Sequence, residues 1–129
     1  MLLSLTAILL MAPAPGRPSM DVTCQITLQQ GDKLETVGQP TIRALLPNPA
    51  KITMTYTGKH GTKRLILGEL TPKRVDGALQ ISADATLTVA EKAVSTQHVD
   101  GVALGTPIDL KLAFADGVYR LHCETKLAP

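Results

Sequence analysis

Aromatic residues are nearly missing from this chain of 129 residues. It has no tryptophan, one phenylalanine (Phe114) and two tyrosines (Tyr56 and Tyr119), so its core has to be built mainly from aliphatic side chains. Charge of either sign is also scarce, with 13 Lys and Arg against 11 Asp and Glu. Proteins that bind single-stranded nucleic acid need basic grooves with aromatic side chains between the charges, so the composition argues against a nucleic-acid partner. The two adjacent basic pairs, Lys63–Arg64 and Lys73–Arg74, are expected at solvated strand ends or turns.

Cysteine is just as scarce, since Cys24 and Cys123 are the two in the chain. There is no Cys-x-x-Cys and no His-x-His, and no serine stands in a Gly-x-Ser-x-Gly turn. An even number of cysteines behind an apolar leader indicates a disulfide in an exported protein. We therefore expect Cys24 and Cys123 to join the first and last strands of the domain.

Long hydrophobic runs are limited to residues 1–11, an uncharged segment too short to cross a bilayer, which needs about 20 apolar residues. This length is typical of a signal-peptide core, and the small residues that follow predict cleavage after residue 16. The expected organisation is a signal peptide at 1–16 and one β domain at 17–129, periplasmic or secreted, with no transmembrane segment in the mature chain. Three alternatives stay open: a true start at Met20, which makes the protein cytoplasmic, a fragment of a longer chain, or an uncleaved anchor.

What the chain does have is alternation of apolar and polar residues with a period of two, which predicts half-buried strands. The clearest stretches are residues 22–29, 52–57 and 79–89, while 71–77 is predicted as a loop and Asp100–Gly101 as a tight turn. Short strands between glycine, proline and Asp-Gly turns predict an all-β fold. We expect an antiparallel β-sandwich, immunoglobulin-like or a partly open barrel.

The last hairpin allows a register to be predicted. A two-residue turn at Asp116–Gly117 places Phe114 opposite Tyr119 and Leu110 opposite Cys123, so that Cys123 points into the core. The same count pairs Asp109 with Glu124 on the outer face.

Candidate sites for binding follow from exposure and residue type. The threonine row Thr53, Thr55 and Thr57 is predicted as an exposed strand edge to which a protein partner binds, and the strand at 62–70 is a second candidate. His60, His98 and His122 are the residues that a metal-binding or redox protein would use together with the cysteines. Because His122 and Cys123 are neighbours on a strand, they point to opposite sides, which favours the disulfide over a shared metal ion.

Catalytic candidates are weaker. We expect no base or nucleophile near His98, and the one candidate pair of carboxylates is Asp109 with Glu124, on an exposed face. A hydrolase stays an alternative whose mark would be a histidine that lines a pocket beside a serine or a carboxylate. No cofactor is expected.

Several segments, taken in order, resemble the β-rich domain of bacterial outer-membrane secretins. Residues 38–42 (GQPTI), 70–72 (LTP) followed by 76–81 (DGALQI), 94–96 (VST) and 100–105 (DGVALG) are similar to that family's strands and Asp-Gly turns, over about residues 34–105. The chain has no room for the family's ring-forming domains and no convincing pair of membrane-spanning hairpins, so channel activity is not carried over. The resemblance implies a stand-alone β module for an envelope assembly.

The expected function is therefore that of an exported, non-enzymatic β domain, which acts as a binding, assembly or structural module of the cell envelope. The alternatives are a metal-binding or redox protein and an accessory of a secretion system related to secretins.

Overall fold

The computed structural model describes residues 18–58, 61–115 and 117–128. Within these ranges the regular elements are all strands, in agreement with the period of two in the sequence. In chain order they are β1 (Ser19–Gln30), β2 (Lys33–Gly38), β3 (Thr41–Leu45), β4 (Ala50–Thr57), β5 (Lys63–Val75), β6 (Ala78–Val89), β7 (Lys92–Ala103), β8 (Ile108–Phe114) and β9 (Gly117–Ala128).

The strands form two antiparallel sheets, which confirms the predicted sandwich. The first sheet has the order β2-β1-β9-β8, and β3 pairs with β1 as well. β2 and β3 share one edge of β1, since β2 pairs with residues 26–30 and β3 with residues 19–23. The second sheet has the order β4-β5-β6-β7.

The core lies between the sheets and is filled by every second residue of each strand. In β1 the side chains of Val22, Cys24, Ile26 and Leu28 are buried, while those of the intervening residues are half-buried or exposed. β6 and β9 repeat this pattern. Removal of these aliphatic side chains from water is the main force that holds the two sheets together.

The predicted disulfide between Cys24 and Cys123 is present and buried, and it lies within one sheet. The two cysteines are directly opposite each other on β1 and β9, with Cα atoms 4.0 Å apart. The backbone N–H of Cys24 donates to the carbonyl of Pro40, away from β9. The pair is therefore a non-hydrogen-bonded pair of the β1–β9 ladder, where facing residues come closest. An immunoglobulin domain instead bridges its two sheets, so this part of the comparison with that fold does not hold.

The register predicted for the last hairpin is wrong by two residues. Phe114 pairs with Gly117, so Leu110 lies opposite Leu121 and Cys123 lies opposite Ile108. Asp116, one of the two residues expected in the turn, lies outside the described residues. Gly117 is the first residue of β9, and it lies so close to β1 that a Cβ atom at this position would collide with the carbonyl oxygen of Gln29. A shift of two residues leaves Cys123 on the core side, as predicted.

The predicted turn at Asp100–Gly101 and most of the predicted loop at 71–77 are strand. Asp100 and Gly101 lie within β7, where together they face Ser82 of β6 as a bulge, with Gly101 at a φ of 69°. Most of the predicted loop at 71–77 continues β5 as far as Val75, and the turn is made by Asp76 and Gly77, both with positive φ. β5 tolerates Pro72 because β4 ends at the Ala50–Leu70 pair, before it reaches the proline.

Candidate functional site

The threonine row lies on an edge strand of the second sheet. β4 pairs with β5 alone among the described residues, and its register from Ala50 to Thr57 has no bulge. Thr53, Thr55 and Thr57 are exposed, and they alternate with the buried Ile52 and the half-buried Met54 and Tyr56. The strand at 62–70, the other predicted edge, is part of β5, which has a neighbour on both sides. The expectation that residues 62–70 form an edge is wrong, and of the two candidate strands β4 is the one at an edge.

The direction of the backbone groups in β4 follows from the bonds at its end. The N–H of Gly58 donates to the carbonyl of Thr62 at 3.0 Å, which continues the register of the β4–β5 ladder. The carbonyl of Lys63 accepts from Ala90, so Lys63 faces β6. Because successive residues of a strand face opposite neighbours, the N–H and C=O groups of Thr57, Thr55, Thr53 and Lys51 point away from β5. The threonines thus present hydroxyl groups on the outer face and backbone donors and acceptors at the edge.

The other sheet edges have structural features that hinder pairing with another chain. β7, at the far side of the same sheet, has two irregularities in its register with β6. At β8 the side chain of Gln97 accepts a hydrogen bond from the backbone N–H of Lys111 at 2.6 Å, which occupies an edge donor. β3 has five residues, and the exposed Lys33 and Glu35 lie on β2. Bulges, covering side chains, short length and charge all protect edges, and β4 has none of these beyond Lys51.

The outer face beside β4 is a shallow groove of about 280 Å³. One cross-strand row on this face is charged and follows the order Lys51, Glu69, Asp84 and His98. The next row is uncharged and contains Thr53, Leu67, Thr86 and Thr96. Lys51 lies 3.9 Å from Glu69 across the exposed surface, and such a pair adds little stability. Leu67 is 45% exposed, a large fraction for a leucine in the middle of a sheet.

At one end of the sandwich Arg64 lies among all three aromatic residues of the chain. Its guanidinium carbon is 4.7 Å from the centre of the Phe114 ring and 5.8 Å from that of Tyr56, and its Nη1 donates to the Tyr119 hydroxyl at 3.2 Å. Arg64 is 7% exposed, so the expectation of a solvated Lys63–Arg64 pair is wrong for the arginine. Burial raises the pKa of Tyr119, and the bond from Arg64 opposes that shift. The position of Arg64, in step with the buried Ile66 and Leu70, was a signal in the sequence that this side chain points inward.

His98 has acidic neighbours that the sequence did not show. Its Nδ1 is 2.5 Å from Oδ1 of Asp84, its direct partner on β6. The hydroxyl of Ser82 donates to Asp100, and this bond, with a second from the N–H of Gly101, lowers the pKa of Asp100. The expectation that no base lies near His98 is therefore wrong. Finding Asp84 required the register between β6 and β7, which no short motif encodes.

His122 lies on the outer face of the other sheet, between two carboxylates. Its Nδ1 is 2.7 Å from Asp109 and its Nε2 is 3.5 Å from Glu124. Asp109 faces His122, not Glu124 as predicted, because of the shift in the hairpin register. The bond with Asp109 raises the pKa of His122, with a smaller contribution from Glu124. His122 and Glu124 line a groove of about 310 Å³ together with Thr23, Gln25 and Gln39.

His98 and His122, two of the three histidines proposed as metal ligands, do not come together. His98 is exposed on the second sheet and His122 on the first, so the sandwich separates them, and His60 lies outside the described residues. Cys24 and Cys123 are bonded to each other in the core. Across residues 18–58, 61–115 and 117–128 there is no group of three or more His, Cys, Asp or Glu side chains arranged to hold a metal ion.

No family model matches the chain, and no curated protein or solved structure is significantly similar to it. Among the described residues no helix is long and apolar enough to cross a membrane.

Proposed function

We propose that the protein is an exported, non-enzymatic binding and assembly module of the cell envelope, whose edge strand β4 receives an extended segment of a protein partner. The observation that carries the proposal is the run of outward-facing backbone groups at Lys51, Thr53, Thr55 and Thr57 on a regular edge of eight residues. Strand addition uses main-chain hydrogen bonds for affinity and alternate side chains for specificity. β4 offers both at once.

The geometry around His122 supports binding over catalysis. His122 does lie in a groove beside a carboxylate, which was the mark expected of a hydrolase. However, both of its ring nitrogens are within reach of carboxylate oxygens, and the raised pKa favours the imidazolium form. A general base needs a nitrogen that is free to accept a proton. The groove lining also contains no serine, so a hydrolytic role has no nucleophile beyond Thr23.

Export is supported by the buried disulfide and by the apolar leader, because disulfides persist in oxidising compartments. The alternative start at Met20 would place the charged amino terminus on a residue that is fully buried. It would also remove Pro18, whose carbonyl accepts a hydrogen bond from Leu46. The resemblance to secretin β domains, over residues 34–105, spans the whole second sheet and favours a role in an envelope assembly.

Export is tested by the intact mass of the product recovered outside the cytoplasm, with and without reductant before alkylation. We expect the loss of residues 1–16 and two thiols that react only after reduction. Two freely alkylated thiols in an unprocessed chain would contradict export.

Strand addition is tested with linear peptides selected from a displayed library for binding to the oxidised protein. Bound peptides should slow hydrogen exchange at the amides of Thr53 and Thr55. The variant Thr55→Pro should weaken binding about tenfold or more, since one backbone hydrogen bond contributes about 1 kcal/mol and the ring also hinders neighbouring bonds. Proline is tolerated at Thr55 because this N–H points away from β5.

The matched control is Thr55→Val, which keeps the backbone donor and the β-branched shape but removes the hydroxyl. It should bind the same peptides nearly as well as the wild type. Equal binding by Thr55→Pro and the wild type would show that the partner does not add to β4.

A further inference from the structure

We infer that the strand added at β4 is β4 of a second copy of this chain, paired antiparallel about a two-fold axis that passes beside Met54. The inference rests on the proposed function, because it names the partner of the same edge. In a two-fold dimer the same surface meets itself, so the strand has to be complementary to its own reversed sequence. β4 meets this requirement in one register.

With the axis at Met54, each outward-facing residue of one copy lies opposite an outward-facing residue of the other. Thr53 faces Thr55, and Lys51 faces Thr57, so all four residues of each copy exchange backbone hydrogen bonds. Moving the axis to Thr55 leaves Lys51 beyond the end of the partner strand. Moving it to Thr53 brings Thr57 opposite Pro49, which has no N–H to donate.

Charge is compatible with this register. Lys51 is the one charged residue of β4, and the axis at Met54 sets it opposite a threonine, so no like charges face each other across the new pair of strands. Each Lys51 keeps Glu69 as its neighbour on its own β5. Lys51 is therefore accommodated at both ends of the interface. In a parallel, in-register arrangement the two Lys51 side chains would lie side by side.

Side chains on both faces of β4 gain cover from the second copy. On the inner side Met54 and Tyr56 are only half-buried, although they point towards the core, because no described strand pairs with the side of β4 opposite β5. A second β4 brings Met54 next to its equivalent and Ile52 next to Tyr56. On the outer face the uncharged row that includes Thr53 and the exposed Leu67 continues across the axis. Apolar surface is thus removed from water along with the new hydrogen bonds.

The test combines the mass in solution with a cross-link at the axis. Sedimentation equilibrium of the oxidised chain should show a reversible change from one to two copies with rising concentration. Residues that face each other in a non-hydrogen-bonded pair approach closely enough for a disulfide, so Met54→Cys should cross-link two copies to each other under mild oxidation. Thr96→Cys, exposed at the opposite edge of the same sheet, is the matched control and should dimerise reversibly without forming the cross-link.

A second measurement avoids the cysteine variant. In the wild type the amides of Thr53 and Thr55 should exchange more slowly at high protein concentration than after dilution, and Thr55→Pro should remove both this effect and the dimer. A chain that is monomeric throughout but still binds selected peptides at β4 would overturn this inference and leave the proposed function standing. A dimer that Thr55→Pro leaves unchanged, or equal cross-linking by the two cysteine variants, would also overturn it. A wild-type chain that forms no dimer and binds no selected peptide at β4 would overturn both proposals.

Discussion

Arg64 shows how one residue organises an end of this molecule. The three aromatic side chains come from β4, β8 and β9, and the arginine that contacts them comes from β5, so this cluster joins the two sheets. The space for the guanidinium is provided in part by Gly58, where a Cβ atom would lie 2.8 Å from Nη2. All three aromatic residues therefore surround one buried cation, whose charge is stabilised by the ring faces of Phe114 and Tyr56 and by the hydroxyl of Tyr119.

His122 leads to a prediction about pH. The hydrogen bond to Asp109, aided by Glu124, raises the pKa of His122 above its ordinary value of 6.5, so folding favours the protonated ring. Its contribution to the free energy of unfolding is complete below about pH 6.5 and is lost as the pH rises through the higher pKa of the folded state. Urea unfolding of the wild type should show this decline as the pH rises above about 6.5. The variant His122→Gln should flatten it.

The control for this measurement is His98→Gln, which removes the exposed histidine of the other sheet and leaves the Asp109–His122 contact intact. It should keep the decline that His122 causes. If the slope of His122→Gln equals that of the wild type, another group is responsible for it.

Among the elements, β9 depends on a close approach to β1 at its first residue. Gly117 packs so closely on Gln29 that a methyl group would overlap the carbonyl oxygen and lie 3.0 Å from the side chain of Gln30. Gly68, in β5, is also a strand glycine, but a methyl group there would meet Ile52 and Leu121 at ordinary contact distances of 3.7 and 3.8 Å. The two positions differ in the space available for a Cβ atom, and substitution by alanine tests this difference.

We expect Gly117→Ala to lower the free energy of unfolding by about 2 kcal/mol or more, because β1 and β9 have to move apart or the hairpin has to change its register. Gly68→Ala should be neutral or should raise stability by up to about 1 kcal/mol, since it removes freedom from the unfolded chain and fills available space. Chemical denaturation of both variants at one pH provides the comparison. Equal losses would show that the β1–β9 contact at Gly117 is not tight.

At the scale of the whole molecule, the disulfide closes a long loop between the first and last strands. Its cysteines are separated by 99 positions, so the bond constrains nearly the whole unfolded domain. Reduction of the wild type should lower the free energy of unfolding by about 4–5 kcal/mol in the chain-entropy model. The double variant Cys24→Ala/Cys123→Ala should not respond to the reductant. A change below about 1 kcal/mol would mean that the unfolded chain is already compact around these strands.

Sequence alone was enough for the fold class because alternation with a period of two acts within each strand. It placed Cys24 and Cys123 inside and Thr53, Thr55 and Thr57 outside, whatever the neighbouring strands were. It could not provide the register between neighbouring strands, because that register depends on the length of each turn and on bulges in the ladder. For this reason the sequence does not reveal the partners of His98 and His122, and it predicts a turn where Asp100 and Gly101 form a bulge. Arg64 was missed for another reason, since charge was given more weight than its position in the alternation.

The pairing of the first and last strands has a mechanical consequence. Ser19 lies opposite Ala128, so both ends of the domain leave from the same end of one ladder. A force that pulls the ends apart would open this ladder one pair at a time, from Ser19 to Thr23, and would then reach the covalent bond between Cys24 and Cys123. The rest of the sandwich, including β4, carries no load beyond that point. Under tension the protein would behave as a short link that lengthens by about ten residues and then holds.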